Sequence, residues 1–291
     1  MRLMRGCAAI VVAIAALSAQ AGVASASADA GASESVRYVH LGDSYAAGAG
    51  VQPEDPSSVA FDCGRSSNNY AQIVARRRGF HLTDVSCGGA DTDDLFSAQK
   101  KGMRPQLDAL DADVDLVTIS IGGNDGVFGT AMVRCLAEGI STGLRGAPCA
   151  HRQGRSLMNR IQTFTRPRLS RALAEVRARA PEASVIVVGY PWITPSRAVV
   201  CPTIPVASGD IRFLHRLLAS LNDTIADVAA EVGARFVDLS AESDGRDACR
   251  PARVRWVEPF ITDFAAPVHP NARGQRAMAA AVLDEVAAAG F

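Results

Sequence analysis

The stretch DVDLVTISIGGND, residues 113–125, is nearly continuous in apolar residues and then breaks on two glycines. An unbroken apolar run of strand length belongs in a parallel sheet covered on both faces, because a half-wet sheet would alternate polar and apolar positions. Two further runs behave alike: VRYVHLG (36–42), which ends on Gly42, and ASVIVVGYP (183–191). HLTDVSC (81–87) and ARFVDLS (234–240) read as two more strands.

Helical patterns separate these runs. NNYAQIVARRRG (68–79) has Asn68 or Asn69 as its cap and Gly79 as its stop. DTDDLFSAQ (91–99) starts like a helix with acids in its first turn, and SRALAEVRARA (170–180) is amphipathic. The segment 210–233 is a long helix with Gly233 as end signal. The segment 271–290 closes the chain as a helix capped by Asn271. Strands alternating with helices predict an α/β fold around a five-stranded, mainly parallel sheet, in one domain over 29–291. The stretches 126–165 and 240–268 fit no simple strand–helix unit, and each contains or borders a cysteine pair. In open α/β sheets the site lies at the carboxyl ends of the strands, so these stretches are expected to wall it.

Residues 1–28 read as a secretory signal peptide. Arg2 and Arg5 precede an apolar run from about Cys7 to Leu17, and small residues follow, with cleavage expected near Ala26 or Ala28. The run is shorter than the roughly 20 residues a membrane span needs. Cys7 precedes it and is badly placed for a lipid anchor. Removing the leader leaves Cys63, Cys87, Cys135, Cys149, Cys201 and Cys249, an even set that in an exported chain argues for three disulfides. Fifteen pairings are open, the sequential one being the simplest. No C-x-x-C pair or close His/Cys cluster points to zinc. The whole chain balances 30 basic against 30 acidic residues, which gives no hint of a nucleic-acid partner.

Three features with chemical potential fall at strand ends. HLGDSYAAGAG (40–50) places Ser44 directly after the first strand, at a glycine-preceded turn that exposes its hydroxyl. Such a serine can also be an ordinary N-cap, and the G-x-S-x-G elbow is not met because Ala46 occupies its last position. SIGGNDGVFG (120–129) lets Gly122 and Gly123 turn sharply and offers the Asn124 amide to a developing oxyanion. Asn and Asp after glycines are equally common turn chemistry. In TDFAAPVHPNARGQ (262–275), His269 stands between Pro267 and Pro270 at a strand-to-helix connection. His40 and His215 lie inside a strand and a helix pattern and read as structural, while His81 and His151 have no motif context.

Taken together, these residues resemble the SGNH (GDSL-type) hydrolase superfamily, named for Ser, Gly, Asn and His in separate blocks. GDSYAAG is similar to its first block, CGGADTDDL (87–95) to its second, GGND to its third and VHP to its last. The blocks fall in order over residues 38–270. The resemblance implies a three-layer α/β/α, flavodoxin-like fold. It implies Ser44 as nucleophile, His269 as general base, and an oxyanion hole from the N–H groups of Ser44 and Gly89 and the Asn124 amide; Gly88 is the alternative to Gly89. The first block and the six cysteines are similar to secreted actinobacterial lipases, esterases and phospholipases, which implies the pairs Cys63–Cys87, Cys135–Cys149 and Cys201–Cys249.

One position departs from the family pattern. The last block is usually D-x-x-H, but here it reads Ala266-Pro267-Val268-His269. The expected substitute is a backbone carbonyl, from Ala266 or a near neighbour, held in line by the flanking prolines; Asp263 folding back is the competing arrangement. Asp43 and Asp125 are expected to brace turns, and Asp91, Asp93 and Asp94 to start a helix rather than bind calcium.

The resemblance implies hydrolysis of carboxylic esters through an acyl-enzyme, without metal or organic cofactor. Val127, Phe128, Trp192, Ile193, Trp256, Phe260 and Phe264 would suit an acyl chain. A carbohydrate acetyl esterase and a non-catalytic secreted binding protein are the competing functions. The expected partner is a small-molecule or lipid ester, with at most transient contact with a lipid surface, and the expected state is a monomer.

Overall fold

The computed structural model describes residues 35–59 and 62–291. The leader, its cleavage positions and Cys7 lie outside the described residues. The five expected strands become β1 (Arg37–Gly42), β2 (His81–Asp84), β3 (Leu116–Ser120), β4 (Ser184–Val188) and β5 (Arg235–Val237). They form one sheet in the order β2-β1-β3-β4-β5, and every pairing is parallel. Among the described residues the helices are α1 (Ser44–Ala47), α2 (Pro56–Val59), α3 (Tyr70–Arg78), α4 (Phe128–Ser141), α5 (Pro148–Arg160), α6 (Arg166–Arg179), α7 (Ser208–Glu231), α8 (Ser240–Ser243) and α9 (Ala272–Ala288). None of them is long and apolar enough to cross a membrane.

Alternation along each strand splits the apolar residues between two cores. Val39, Leu41, Val117, Ile119, Val185 and Val187 face the larger one, which also takes the inner faces of α4 to α7. Tyr38, Leu116, Ile186 and Val188 face the other, packed against α3 and α9. This makes three layers, helix–sheet–helix, and explains why most residues of the central strands are apolar and buried. His40 is an exception that proves structural: buried, its ring nitrogens lie 2.8 Å from Thr118 Oγ1 and 3.2 Å from the Ala46 carbonyl.

Helix ends follow the expected chemistry in part. The Asn69 side chain accepts from Gln72 N–H, Gly79 closes α3 with a φ of +73°, and the Asn271 side chain caps α9. The segment 91–99 differs from expectation and forms only a one-turn 3-10 helix at Asp93–Leu95. Its acids bond each other's backbone instead: Asp91 Oδ1 accepts from the N–H groups of Asp93 and Asp94, and Asp94 Oδ2 accepts from that of Asp91. Local side-chain acceptors of this kind compete with helix propagation. The stretch 126–165 is mostly helical, with α4 and α5 joined to α6 through a wide π turn at Ile161–Thr165.

The three disulfides are Cys63–Cys87, Cys135–Cys149 and Cys201–Cys249, in the sequential order. The second ties α4 to α5. The first anchors the loop after β2, where Gly88 N–H also donates to the Cys63 carbonyl at 2.8 Å.

β1 pairs with β2 on one side and β3 on the other, so the chain leaves the carboxyl ends of β1 and β3 at a topological switch point, where ligand sites of open α/β sheets form. Close approach there demands glycine. A Cβ on Gly42 would stand 2.2 Å from the Ser120 carbonyl oxygen and 2.8 Å from Ala46 Cβ, at a φ of +133°. The Gln106 side chain completes the clamp, accepting from Gly42 N–H and donating to its carbonyl. Gly42→Ala is therefore expected to lower unfolding free energy by about 3 kcal/mol or more in a urea titration. Gly79→Ala, with a φ of +73° but open space around it, should cost about 1 kcal/mol; equal effects at the two sites would contradict this account.

Candidate active site

Ser44 opens α1 immediately beyond β1. Asp43 acts as its N-cap, accepting from Tyr45 N–H at 2.9 Å, which fixes the tight strand-to-helix turn. Asn124 stands on the loop after β3 and His269 precedes α9 by two residues, with Asn271 capping between. Residues far apart in the chain thus meet at one sheet edge: Ser44, Asn124 and His269 line a common cavity of about 350 Å³.

His269 Nε2 lies 2.7 Å from Ser44 Oγ, and Nδ1 lies 2.8 Å from the carbonyl oxygen of Pro267. A carbonyl can only accept, so Nδ1 carries the proton and Nε2 is left as a lone-pair acceptor facing the hydroxyl. The steering group is therefore one residue later than expected: the Pro267 carbonyl, not that of Ala266. The reason is the conformation of Val268, whose φ of +65° is rare for a β-branched residue. That reversal folds the chain back so that a ring at position 269 reaches a carbonyl only two residues upstream. Asp263 is exposed, and Nδ1 is already engaged by the carbonyl.

Several bonds hold the reversed segment. Val268 N–H donates to the Glu258 carbonyl, Glu258 N–H donates to that of His269, and Asn271 N–H donates to that of Trp256, forming a short antiparallel ladder. Glu258 is itself gripped by Arg255 and by the Asn271 amide. From the opposite side Tyr45 Oη donates to the Val268 carbonyl at 2.6 Å, and its ring centroid lies 5.1 Å from that of His269. Burial pushes the His269 pKa below its usual value; the bond to Pro267 opposes this but does not reverse it. The ring thus stays neutral, and able to accept a proton, to lower pH than a free imidazole.

Of the residues expected to donate to an oxyanion, Ser44 and Asn124 line the cavity, and Gly89 stands on the adjoining loop beside Ala90. Among the described residues the backbone N–H groups of Ser44 and Gly89 have no acceptor, whereas that of Gly88 is used by Cys63. Asn124 spends one amide hydrogen on the Ala90 carbonyl at 2.9 Å, which fixes the side chain against the Gly89 loop and leaves its second hydrogen free.

Two buried acids lock the loops together. Asp43 accepts from Tyr190 Oη at 2.6 Å, and Tyr190 Oη accepts in turn from Gly123 N–H at 2.9 Å, tying the Ser44 turn to the Asn124 loop. Asp125 Oδ1 accepts from both the N–H and the hydroxyl of Thr92. Burial pushes each carboxyl up, Asp43 to about 6 and Asp125 to about 6, against hydrogen bonds that favour the ionised form. Tyr190 was not singled out from sequence, although it directly follows β4 at the productive edge. The aspartates brace turns as expected, but through side chains as well as backbone.

The cavity wall only partly matches expectation. Phe128, Ile193 and Phe260 line it, joined by Met132 and Val133 from α4 and Leu218 and Leu221 from α7. Val127 is buried in the main core, Trp192 donates to the Ser240 carbonyl and lies against His215, Trp256 is buried beneath Arg246, and Phe264 packs near Gly50. The inward stripe of α7 and the helical spacing of Phe128 and Met132 were the available signals for the missed residues.

A family described as GDSL-like Lipase/Acylhydrolase matches residues 40–277. Lipase 2 of Streptomyces coelicolor is 46% identical over 261 residues, covering 88% of each chain. Two solved structures share the fold at 27% identity: phospholipase A1 from Streptomyces albidoflavus, with a TM-score of 0.72, and an extracellular lipase from Streptomyces rimosus, with 0.73. Each alignment covers 86% of this chain and 99% of the other.

The geometry separates Asp263 from Tyr45. Asp263→Asn should leave kcat on a soluble ester within about twofold. Tyr45→Phe, which frees the Val268 carbonyl, should lower kcat by roughly tenfold to a hundredfold in a protein that stays folded, its melting temperature lowered by only about 2–4 °C. A collapse for Asp263→Asn, or none for Tyr45→Phe, would contradict carbonyl steering.

Proposed function

Because the chain belongs to the GDSL-like lipase/acylhydrolase family, and is by that membership a lipase or esterase, we propose that it cleaves fatty-acyl esters through an acyl-enzyme on Ser44. The observation that carries this reading is the 2.7 Å approach of His269 Nε2 to Ser44 Oγ at the floor of an apolar cavity. Ser44 Oγ attacks the ester carbonyl while His269 Nε2 takes its proton. The tetrahedral oxyanion receives hydrogen bonds from the Ser44 and Gly89 N–H groups and the Asn124 amide. Each such donor contributes roughly 3 kcal/mol to the transition state. The protonated ring hands its proton to the leaving alcohol, and the alkoxide bond to the acyl carbon breaks. Water then attacks the acyl-enzyme, losing its proton to Nε2, and Ser44 is released with the free acid.

The Pro267 carbonyl keeps its bond to Nδ1–H through both half-reactions, so the imidazolium forms without turning. It cannot neutralise the positive charge as a carboxylate would. The depressed His269 pKa agrees with that: the ring yields its proton readily to the leaving group.

The acyl chain is assigned to the cavity between α4 and α7, whose volume of about 350 Å³ falls in the range of small-molecule sites. Glycerolipids and phospholipids are the proposed substrates, supported by the apolar lining and by similarity to a lipase and a phospholipase A1 of Streptomyces. The protein is proposed to act outside the cell as a single chain, after loss of residues 1–28 at Ala26 or Ala28. Three disulfides support an oxidising destination.

A fluorophosphonate probe should label the protein and fail to label Ser44→Ala. With p-nitrophenyl esters from acetate to palmitate, and with phosphatidylcholine, kcat/KM should rise beyond acetate. Strict preference for acetate, or labelling that survives in Ser44→Ala, would defeat the proposal.

A further inference from the structure

The charge of this chain is balanced in total but segregated in space. Between residues 145 and 180 the sequence holds nine arginines and a single acid, Glu175. The rest of the chain is correspondingly acidic. Part of this excess is paired: Arg166 with Asp227 and Glu231, Arg168 with Asp93, Arg179 with Asp108 and Glu175. The arginines at the start of the segment are not. Arg145 and Arg155 have no acidic partner among the described residues, and Arg152 reaches only Glu138, at 3.8 Å.

These side chains border an open cleft of about 1060 Å³ along α5 and the π turn, lined by His151, Arg152, Arg155, Asn159 and Arg160. The cleft adjoins the active site through Arg160. Its Nε donates to the Asp125 carbonyl at 3.1 Å, on the loop that presents Asn124, while its guanidinium stacks on Phe164 at 3.8 Å.

The neighbouring helix supplies the other half of the surface. On α4, Val133, Ala137 and Ile140 share one exposed face at i, i+4 and i+7, with Val133 and Ile140 each 67% exposed. Val133 also lines the catalytic cavity, where Phe260 stands 42% exposed. Arg134, beside Val133 on the flank of that face, bonds Gln153 of α5, so the apolar stripe and the basic cleft lie on neighbouring faces of one helix pair. An apolar ridge at a cavity mouth flanked by arginines with little acidic pairing is the pattern of elements that lie in a membrane interface and favour anionic headgroups.

We propose that the α4–α5 face docks this enzyme onto phospholipid bilayers carrying anionic headgroups, with Val133, Ile140 and Phe260 entering the acyl boundary and Arg152, Arg155 and Arg160 meeting headgroup phosphates. The cavity mouth then faces the lipid, and an acyl chain passes to Ser44 without crossing bulk water. A soluble polyanion would use the arginines alone; the adjacent apolar stripe favours a bilayer. The proposal rests on the lipid-ester reading for its orientation, but docking itself does not require hydrolysis.

The test uses Ser44→Ala full-length mature protein and sedimentation with vesicles of phosphatidylcholine alone or mixed equally with phosphatidylglycerol. Partition onto the mixed vesicles should be at least about tenfold stronger and should fall as salt is raised. Arg152→Gln with Arg155→Gln should weaken it by roughly thirtyfold, at about one charge contact each, with an unchanged thermal midpoint. Val133→Ser should weaken binding to both vesicle types. Should the double variant unfold, the salt dependence of the Ser44→Ala protein decides. Equal partition onto both vesicles, salt-independent binding, or full competition by double-stranded DNA would overturn the proposal. Failure of the serine-hydrolase reading would appear separately, as loss of fluorophosphonate labelling in the unsubstituted protein.

Discussion

A single hydrogen bond, from His269 Nδ1–H to the Pro267 carbonyl, fixes the tautomer on which the proposed chemistry depends. An acceptor-only partner at Nδ1 forces the lone pair onto Nε2, and Nε2 is where Ser44 Oγ stands. A carboxylate partner would impose the same tautomer and also favour the charged ring. A neutral carbonyl supplies orientation with less charge stabilisation, in keeping with a ring held below its usual pKa. The arrangement requires a backbone that bends sharply just before the histidine. Val268 provides the bend at a local strain of about 1–3 kcal/mol, offset by the ladder to Trp256 and Glu258 and by the Tyr45 hydroxyl.

The loops around that bond are cross-braced rather than individually rigid. Asp43 reaches the Asn124 loop through Tyr190, Asp125 reaches the Gly89 loop through Thr92, and Asn124 returns to the same loop through Ala90. The Cys63–Cys87 bridge secures that loop from behind. Each brace spans two blocks of sequence that lie tens of residues apart, so the site is pre-organised by tertiary contacts at the switch point of the sheet. Carboxyl groups pushed up to about 6 by burial show that this bracing carries an electrostatic cost.

Much of the fold was legible because its signals are local. Continuous apolar runs marked the three central strands, shorter mixed segments marked the two edge strands, and Asn69, Gly79 and Asn271 marked helix ends by their own side-chain chemistry or lack of one. Ser44, Asn124 and His269 were legible because each stands near a readable element, Ser44 and Asn124 on the turns after β1 and β3 and His269 just before α9. The segment at 91–99 misled because its acids can cap a helix or bond a turn, and nothing in their spacing tells the two apart. The steering carbonyl was missed by one residue because a positive φ at a valine has no sequence signature. Met132, Leu218 and Leu221 read as ordinary core stripe positions; only packing reveals that part of each stripe faces a cavity. The segregation of arginines was visible in the chain, but its meaning needed the neighbouring exposed stripe of α4.

Nitrogen NMR on protein labelled at histidine measures the central claim directly, because it reports which ring nitrogen of His269 carries the proton and at what pH the second is gained. Above neutral pH, Nδ1 should show a bonded proton and Nε2 the shift of a lone-pair nitrogen, with protonation completed only below the ordinary value of about 6.5. The proton on Nε2 or a rapidly averaging ring would contradict a histidine held by the Pro267 carbonyl, and a pKa above 6.5 would contradict a ring in which burial outweighs that bond.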